Sequence, residues 1–582
     1  MKKQTILLCI CLVFALSVRV ILLDRFPIGI THDELNYVFT AKSLFLTHKF
    51  PPGTAPAILP TAMSNFTVTV AEVPSVILSF LIGSLSMSLF GSRVVGAIFS
   101  VSIIWAVYLI TLHITRKRTT ALISAALMAI NPWSFLMGRT VFEVNFFVAF
   151  FLWGFFVLVK SKGWKIFYAL PLYLLGFFSY TGGQISFCFF ILITLLYHYF
   201  AVGKNKKELI IYAIFIGIFS FVFAGYVFAV THNQSYISRG AELYLPDLPE
   251  ISSMVDVERK LAVPDPYNKL FINKATVYVN GFIRKYLNTF SVNTLFLDGE
   301  VRAAFSYQKH GTFYLIDFIF VLIGISSLLI VNKKAWILFL TVILGASLTS
   351  GLSTVENSYS QRVGLIFPFL VILSAVGVDF VLASVKPNTK KILFVVIAGI
   401  YLISFAGLAH LYFLRFPVYA SDGWFFQDRV LSTYIKKTQE AFPKQKVIVY
   451  TSEPKIIFEE YLFYTDSYNR DNAELINDGL NRVDYSINNK LLFTDICPGK
   501  NPDNDSVVIF DGSITCSNLL KLSNLVRITR LRDVFENYLI YNDKLCNNFD
   551  PNRYVDPSAY RNFSIEKQNS KEFCHNWITR IE

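Results

Sequence analysis

Residues 94–118 read VVGAIFSVSIIWAVYLITLHITRKR, an uncharged run from Val94 to Thr115 closed by Arg116-Lys117-Arg118. Wound as a helix, such a run crosses a hydrocarbon core about 30 Å thick. The bases then stop it at the membrane surface. The same pairing of apolar run and basic cluster recurs as far as residue 413. Lys2-Lys3 precede the first run, and Lys160/Lys162/Lys165, Lys204/Lys206/Lys207, Lys333-Lys334 and Lys386/Lys390/Lys391 lie between later ones. Of the 582 residues 54% are apolar and only 16% charged, against about 25% charged in a soluble domain.

Basic clusters of this kind mark cytoplasmic ends. With Lys2-Lys3 inside, apolar segments near 5–23, 94–115, 119–137, 144–159, 166–181, 185–202, 209–231, 312–331, 335–352, 363–385 and 392–413 put every cluster inside. The expected fold is an all-α polytopic membrane protein of about eleven transmembrane helices. Its long outer loops are 24–92 and 232–311, and an extracytoplasmic domain follows from residue 414 to 582. The first run lacks a small-residue cleavage site and ends in Leu22-Leu23-Asp24-Arg25, so it reads as an uncleaved first helix in the plasma membrane. Pro74–Phe90 is apolar too, but a crossing there would invert every later cluster. It is expected to lie on the outer face.

The net charge of +13 is accounted for by these clusters. No basic helix, zinc pattern or basic–aromatic surface points to nucleic acid. After Leu414 the chain turns to Asn, Asp, Lys and short alternating runs, the composition of a water-soluble domain. Val447–Thr451, Val507–Phe510 and Tyr538–Tyr541 read as strands and Gln427–Ala441 as an amphipathic helix, so this domain is expected to be α/β, without a phosphate loop or metal-ligand cluster. Four cysteines fall there, Cys497, Cys516, Cys546 and Cys574. In an oxidising compartment they permit two disulfides, in any of three connectivities, or remain as unpaired core thiols. Glycosylation-type triplets at Asn65, Asn233, Asn504 and Asn562 all fall on the expected outer side.

Two adjacent carboxylates, Asp33 and Glu34, open the first outer loop within Ile30-Thr31-His32-Asp33-Glu34-Leu35-Asn36-Tyr37. Such a pair could take a proton from an acceptor hydroxyl, or hold a metal together with His32. Residue types alone favour a plainer role, complementing the positive end of the helix that follows. Arg93, Arg139, Glu143 and Arg362 stand at the expected outer helix ends, against the usual bias of bases toward the cytoplasm. Arginine grips phosphate in a bidentate fork; the plainer role is snorkelling to headgroups. Tyr180-Thr181-Gly182-Gly183-Gln184 closes another outer turn.

The ordered set resembles the GT-C superfamily of polytopic glycosyltransferases, in particular the group of protein O-mannosyltransferases and the lipid A aminoarabinose transferase. The resemblance covers about residues 5–413. It rests on Arg19, Asp33-Glu34 with Tyr37 and Ala41, Phe90-Gly91-Ser92-Arg93, Asn131-Pro132 with Gly138-Arg139 and Glu143, and Tyr180 with Gln184. Further on it takes in Leu297-Asp298-Gly299-Glu300 with Arg302, His310-Gly311-Thr312-Phe313-Tyr314, and Arg362 with Pro368. It implies transfer of a sugar, usually with inversion, from a polyprenyl-phosphate carrier to a hydroxyl of protein, glycolipid or glycan on the outer face. Asp33 is then the base or the carboxylate that orients the acceptor, with Glu34 its partner. Arg139 and Arg362 are candidates for the lipid phosphate. Glu143, Tyr180 and Gln184 are candidates for the sugar site, with Arg93, Arg302 and His310 also toward substrate. A divalent metal is compatible with this chemistry but not required, since members of the group differ. The Trp-Trp-Asp motif of oligosaccharyltransferases is absent, and Ser421-Asp422-Gly423-Trp424 does not replace it. The competing class is a lipid or glycan flippase, for which no inverted repeat is visible.

Overall fold

The computed structural model describes residues 2–52, 54–56, 68–70, 72–202, 206–231, 248–353, 359–497, 505–512, 514, 525–533, 535–549 and 551–580. Cys516, Lys204, Asn65, Asn233 and Asn504 lie outside the described residues. The chain divides into two compact units. One comprises residues 1–19, 55–74 and 96–408, the other 20–54, 75–95 and 409–582.

The chain is mostly helical, and among the described residues seven helical segments are long and apolar enough to cross a membrane: Lys3–Val20, Leu89–Thr115, Glu143–Lys160, Lys207–Phe228, Lys333–Leu352, Ile366–Ala383 and Pro387–Tyr419. It is therefore a multi-pass integral membrane protein. Val73–Ile82, Arg118–Ile130, Ser186–Ala201 and Leu315–Val331 are shorter apolar helices. Local chemistry explains the shortening. The segment expected at 119–137 is interrupted at Asn131-Pro132, where the Asn131 side chain accepts from the Ser134 amide and starts a new turn, Pro132–Met137. The segment expected at 166–181 begins as a 3-10 stretch, Gly163–Tyr168, and becomes α-helical only over Ala169–Phe177. The helix in the Pro74–Phe90 stretch runs over Glu72–Ile82, 11 residues. At 1.5 Å per residue it measures about 16 Å, half a hydrocarbon core.

Within the first unit, Leu315–Val331 and Ile366–Ala383 cross through glycines. A Cβ on Gly324 would run into the Leu373 carbonyl, and one on Gly377 into the Phe320 carbonyl. Small residues at such a crossing let two backbones touch where lipid offers no hydrophobic drive to associate. The stretch 248–311, expected as loop, contains two amphipathic helices, Leu248–Lys260 and Lys274–Asn288; the second starts at Asn273, whose side chain accepts from the Ala275 and Thr276 amides.

The second unit is built on a mixed sheet. Two short strands earlier in the chain are β1 (Thr54–Pro56) and β2 (Val68–Val70). The C-terminal strands are β3 (Val447–Tyr450), β4 (Ser486–Ile487), β5 (Leu491–Thr494), β6 (Val507–Asp511), β7 (Val526–Thr529), β8 (Glu536–Tyr541) and β9 (Thr579–Arg580), in the order β4-β5-β3-β6-β8-β7-β9. β3 pairs in parallel with β5 and β6, and the outer pairs are antiparallel. The parallel centre is apolar on both faces, as its fully buried Val447, Val507 and Val508 require. Helices Phe426–Ala441 and Pro454–Thr465 pack against each other in this unit. Cys546 and Cys574 form a disulfide across a separation of 28 residues, and Cys497 is also disulfide-bonded. Residues 28–30 are held by the same unit. Arg429 donates to the Ile28 carbonyl at 2.6 Å, and the Ile30 amide donates to the Tyr464 hydroxyl at 2.9 Å.

Candidate functional site

In the second unit, the helix His32–Thr47 starts at Thr31. The Thr31 hydroxyl accepts from the Glu34 amide, and a Glu34 oxygen accepts from the Thr31 amide, both at 3.3 Å. This reciprocal cap needs a hydroxyl followed three residues later by a carboxylate. It turns Glu34 inward, where Arg93 meets it: Nε donates to Oε1 at 3.1 Å and Nη2 to Oε2 at 3.0 Å. The rest of the guanidinium donates to the Pro27 carbonyl at 2.8 Å and to the Gly29 carbonyl, and it lies over the Trp424 ring. Both side chains are fully buried. A buried guanidinium with this many partners is an internal anchor for residues 27–34. Asp33, one residue earlier and about 100° around the helix, is exposed.

His32 leaves the same turn toward other partners. Its ring stacks on Phe425 at 3.7 Å between centroids, and its Nε2 stands 3.7 Å from Glu460 Oε1. Asp428 completes the group and accepts from the Tyr538 hydroxyl at 2.5 Å. Burial pushes the His32 imidazole down to about 4, so it is neutral at pH 7. Burial likewise pushes Asp428 up to about 7. Glu460 is raised well above the usual carboxylate range, by burial first and then by Asp428 beside it. On sequence His32 goes with Asp33 and Glu34 and the C-terminal domain offers no ligand cluster, whereas in the structure His32 faces Asp428 and Glu460. Asp428 and Glu460 were invisible on sequence because nothing local distinguishes a carboxylate on an amphipathic helix from a solvated one.

In the first unit, Gly138 and Arg139 follow the Pro132–Met137 turn. A Cβ on Gly138 would crowd Ser100 Oγ at 2.6 Å and Arg19 Nε at 2.7 Å, so only glycine lets the chain pass. Arg139 is fully buried, and its Nη1 donates to the Val18 and Arg19 carbonyls at 2.9 and 3.0 Å. These belong to the last turn of the Lys2–Val20 helix, whose carbonyls lack intrahelical partners. Arg19 is also buried, bonded to Ser100 and Ser134 hydroxyls at 2.8 Å and to the Ala15 and Ala129 carbonyls at 3.0 Å.

Glu143 opens the helix Glu143–Lys160, where the helix dipole favours a carboxylate. Its Oε1 accepts from Gln361 Nε2 at 3.0 Å. Gln361 belongs to the short turn Tyr359–Arg362, so Arg362 is carried next to it, half-buried. The same turn is fixed by Glu300, whose Oε2 accepts from the Ser360 amide at 2.8 Å. Four residues on from Glu143, Phe147 meets the Tyr180 ring edge at 5.8 Å. Gln184 starts the next helix and donates to the Phe177 carbonyl at 3.3 Å. Glu143 is thus in direct contact with Gln361, on the turn that carries Arg362 and that Glu300 fixes, and Tyr180 reaches the Glu143–Lys160 helix through Phe147; Gln361 and Glu300 are not among the site residues expected from sequence. Arg302 is exposed on the 298–314 loop. His310 packs against Tyr307 and Tyr314, with Nδ1 2.7 Å from the Gly311 carbonyl, and burial pushes its imidazole below the ordinary value.

No protein-family model and no curated protein matches the chain. Among solved structures, the apo oligosaccharyltransferase of Archaeoglobus fulgidus matches at a TM-score of 0.44 and 14% identity, over 79% of this chain and 64% of its own. The chain therefore spans a little under two thirds of that protein. The same archaeal oligosaccharyltransferase in complex with an inhibitory peptide and a dolichol-phosphate matches at 0.43 and 12%, over 88% and 69%. ArnT from Cupriavidus metallidurans, bound to undecaprenyl phosphate, matches at 0.43 and 10%, over 92% and 98%. The chain is similar in structure to these proteins at low sequence identity.

Proposed function

We propose that the chain is a membrane glycosyltransferase that moves a sugar from a polyprenyl-phosphate carrier to a hydroxyl of a glycan, lipid or protein on the outer face of the membrane. In this reading about eleven helices cross, the N-terminus is cytoplasmic and the soluble domain is extracytoplasmic. The observation that carries it is the hydrogen bond between Glu143 and Gln361, side chains 218 positions apart. It joins Glu143 to the turn that carries Arg362, two positions of the set on which the GT-C resemblance rests.

The chemistry follows from the residue types. The acceptor oxygen attacks the anomeric carbon as the carbon–oxygen bond to phosphate breaks, and the lipid phosphate leaves with the bonding electrons. Asp33 takes the acceptor's proton. Arg362 and Arg139 stabilise charge on the departing phosphate. Glu34 and Arg93 act one step back, fixing the helix start that displays Asp33.

The test is direct. Purified protein is mixed with a polyprenyl-phosphate sugar and outer-surface glycans or lipids, with no gradient present, and both substrates are followed by mass spectrometry. Loss of lipid-linked sugar with equal gain of glycosylated product supports the proposal. Absence of transfer, together with carrier translocation in proteoliposomes, overturns it in favour of a flippase.

A further inference from the structure

His32, Asp428 and Glu460 come from three helices of the second unit: His32–Thr47, Phe426–Ala441 and Pro454–Thr465. One potential ligand atom from each lies within 4.8 Å of the other two. Glu460 is fully buried, and beyond a proton shared with Asp428 neither of its oxygens meets a hydrogen-bond donor among the described residues; His32 Nε2 is likewise buried with no hydrogen-bond partner. Buried acceptors left in this state cost free energy, so their persistence calls for a partner. A proton shared between the two carboxylates would serve one of them, but not the imidazole nitrogen, which faces the same space.

The neighbouring cations are committed elsewhere. Arg429 is held by Glu566 at 2.6 and 2.9 Å and by the Ile28 carbonyl. Arg93 is held by Glu34. Lys455 lies 3.9 Å from Glu459, one residue short of Glu460. The site also has outer support: Tyr538 donates to Asp428, and Phe425 fixes the plane of the His32 ring.

We propose that His32 Nε2, Asp428 and Glu460 bind a divalent cation, zinc being the best match, which fastens the start of the His32–Thr47 helix to the C-terminal domain. One imidazole and two carboxylates form a three-ligand set, and water completes the tetrahedron. Zinc–ligand bonds of 2.0–2.2 Å place tetrahedral ligands about 3.4 Å apart, so the group needs only a small contraction from its present spacing. The inference is independent of the transferase reading.

Metal content of the full-length protein, purified without chelator or added metal, tests it. About one equivalent of zinc per chain is expected from the three-ligand set, falling at least tenfold in His32→Ala and in Glu460→Gln. Metal-free wild type should melt at a lower temperature, recover on adding zinc, and develop visible d–d absorption on adding cobalt(II); neither variant should respond. If a variant does not fold, the wild-type recovery and cobalt spectrum decide alone. Wild type without bound metal, and with no shift in melting or cobalt absorption, overturns the proposal and leaves a carboxylate pair sharing a proton. Zinc retained in both folded variants overturns it too.

Discussion

Glu34 and Arg93 form an ion pair with both side chains fully buried, at 3.0 Å between Nη2 and Oε2. Removing one member of such a pair leaves an uncompensated charge and typically costs about 3–5 kcal/mol. In Glu34→Gln the amide keeps the shape but turns donors toward the Arg93 guanidinium. A marked drop in melting temperature is expected for Glu34→Gln and for Arg93→Ala, read on detergent-solubilised protein. Unchanged melting in both would show that the pair does not hold the loop.

Asp33 is exposed where Glu34 is enclosed, so the two substitutions should separate. Asp33→Asn is expected to abolish sugar transfer while leaving expression, melting and donor binding near wild type, because the amide cannot accept a proton at neutral pH. Glu34→Gln should slow transfer by a smaller factor. Wild-type turnover by Asp33→Asn under saturating donor would remove Asp33 as the base.

The two arginines assigned to phosphate differ in what else they hold. Arg362→Ala is expected to weaken donor capture by about tenfold or more, the loss of one charge-assisted hydrogen bond of roughly 1.5–3 kcal/mol, with melting unchanged. Arg139→Ala should also lower the melting temperature, since it frees the Val18 and Arg19 carbonyls. Binding of a polyprenyl phosphate, measured alongside melting, distinguishes them. Full donor affinity in both variants would return the arginines to a structural role.

His310 supplies a pH test. Burial lowers its folded-state value below the ordinary 6.5, so the unfolded chain takes up the proton first. The stability this provides is complete above about 6.5 and is lost as the pH falls below it. Melting temperature should therefore fall on acidification below pH 6.5, and fall less steeply in His310→Gln. Identical slopes would contradict the assignment.

The helices were legible because an apolar run closed by bases has few other readings; the strands Val447–Tyr450, Val507–Asp511 and Glu536–Tyr541 were legible as short runs rich in β-branched and aromatic residues. Helix interruptions were not, although Asn131-Pro132 carried the signal for one of them. The short strands Ser486–Ile487 and Thr579–Arg580 escaped because two residues carry no period and exist only through pairing. At the sites, the resemblance named Glu143 and Arg362, but not Gln361, since a hydrogen bond between distant side chains leaves no local trace. Asp428 and Glu460 escaped for the same reason.

The Ile28 carbonyl takes its hydrogen bond from Arg429, 401 positions later in the chain. At roughly 5–20 residues per second, a ribosome needs about 20–80 s to make that stretch. During synthesis Glu34 therefore meets Arg93 early, 59 positions on, while the Ile28 carbonyl waits for a partner still unmade. A chain cut at residue 414 would sever the C-terminal domain from the 20–54 and 75–95 segments that are part of the same compact unit.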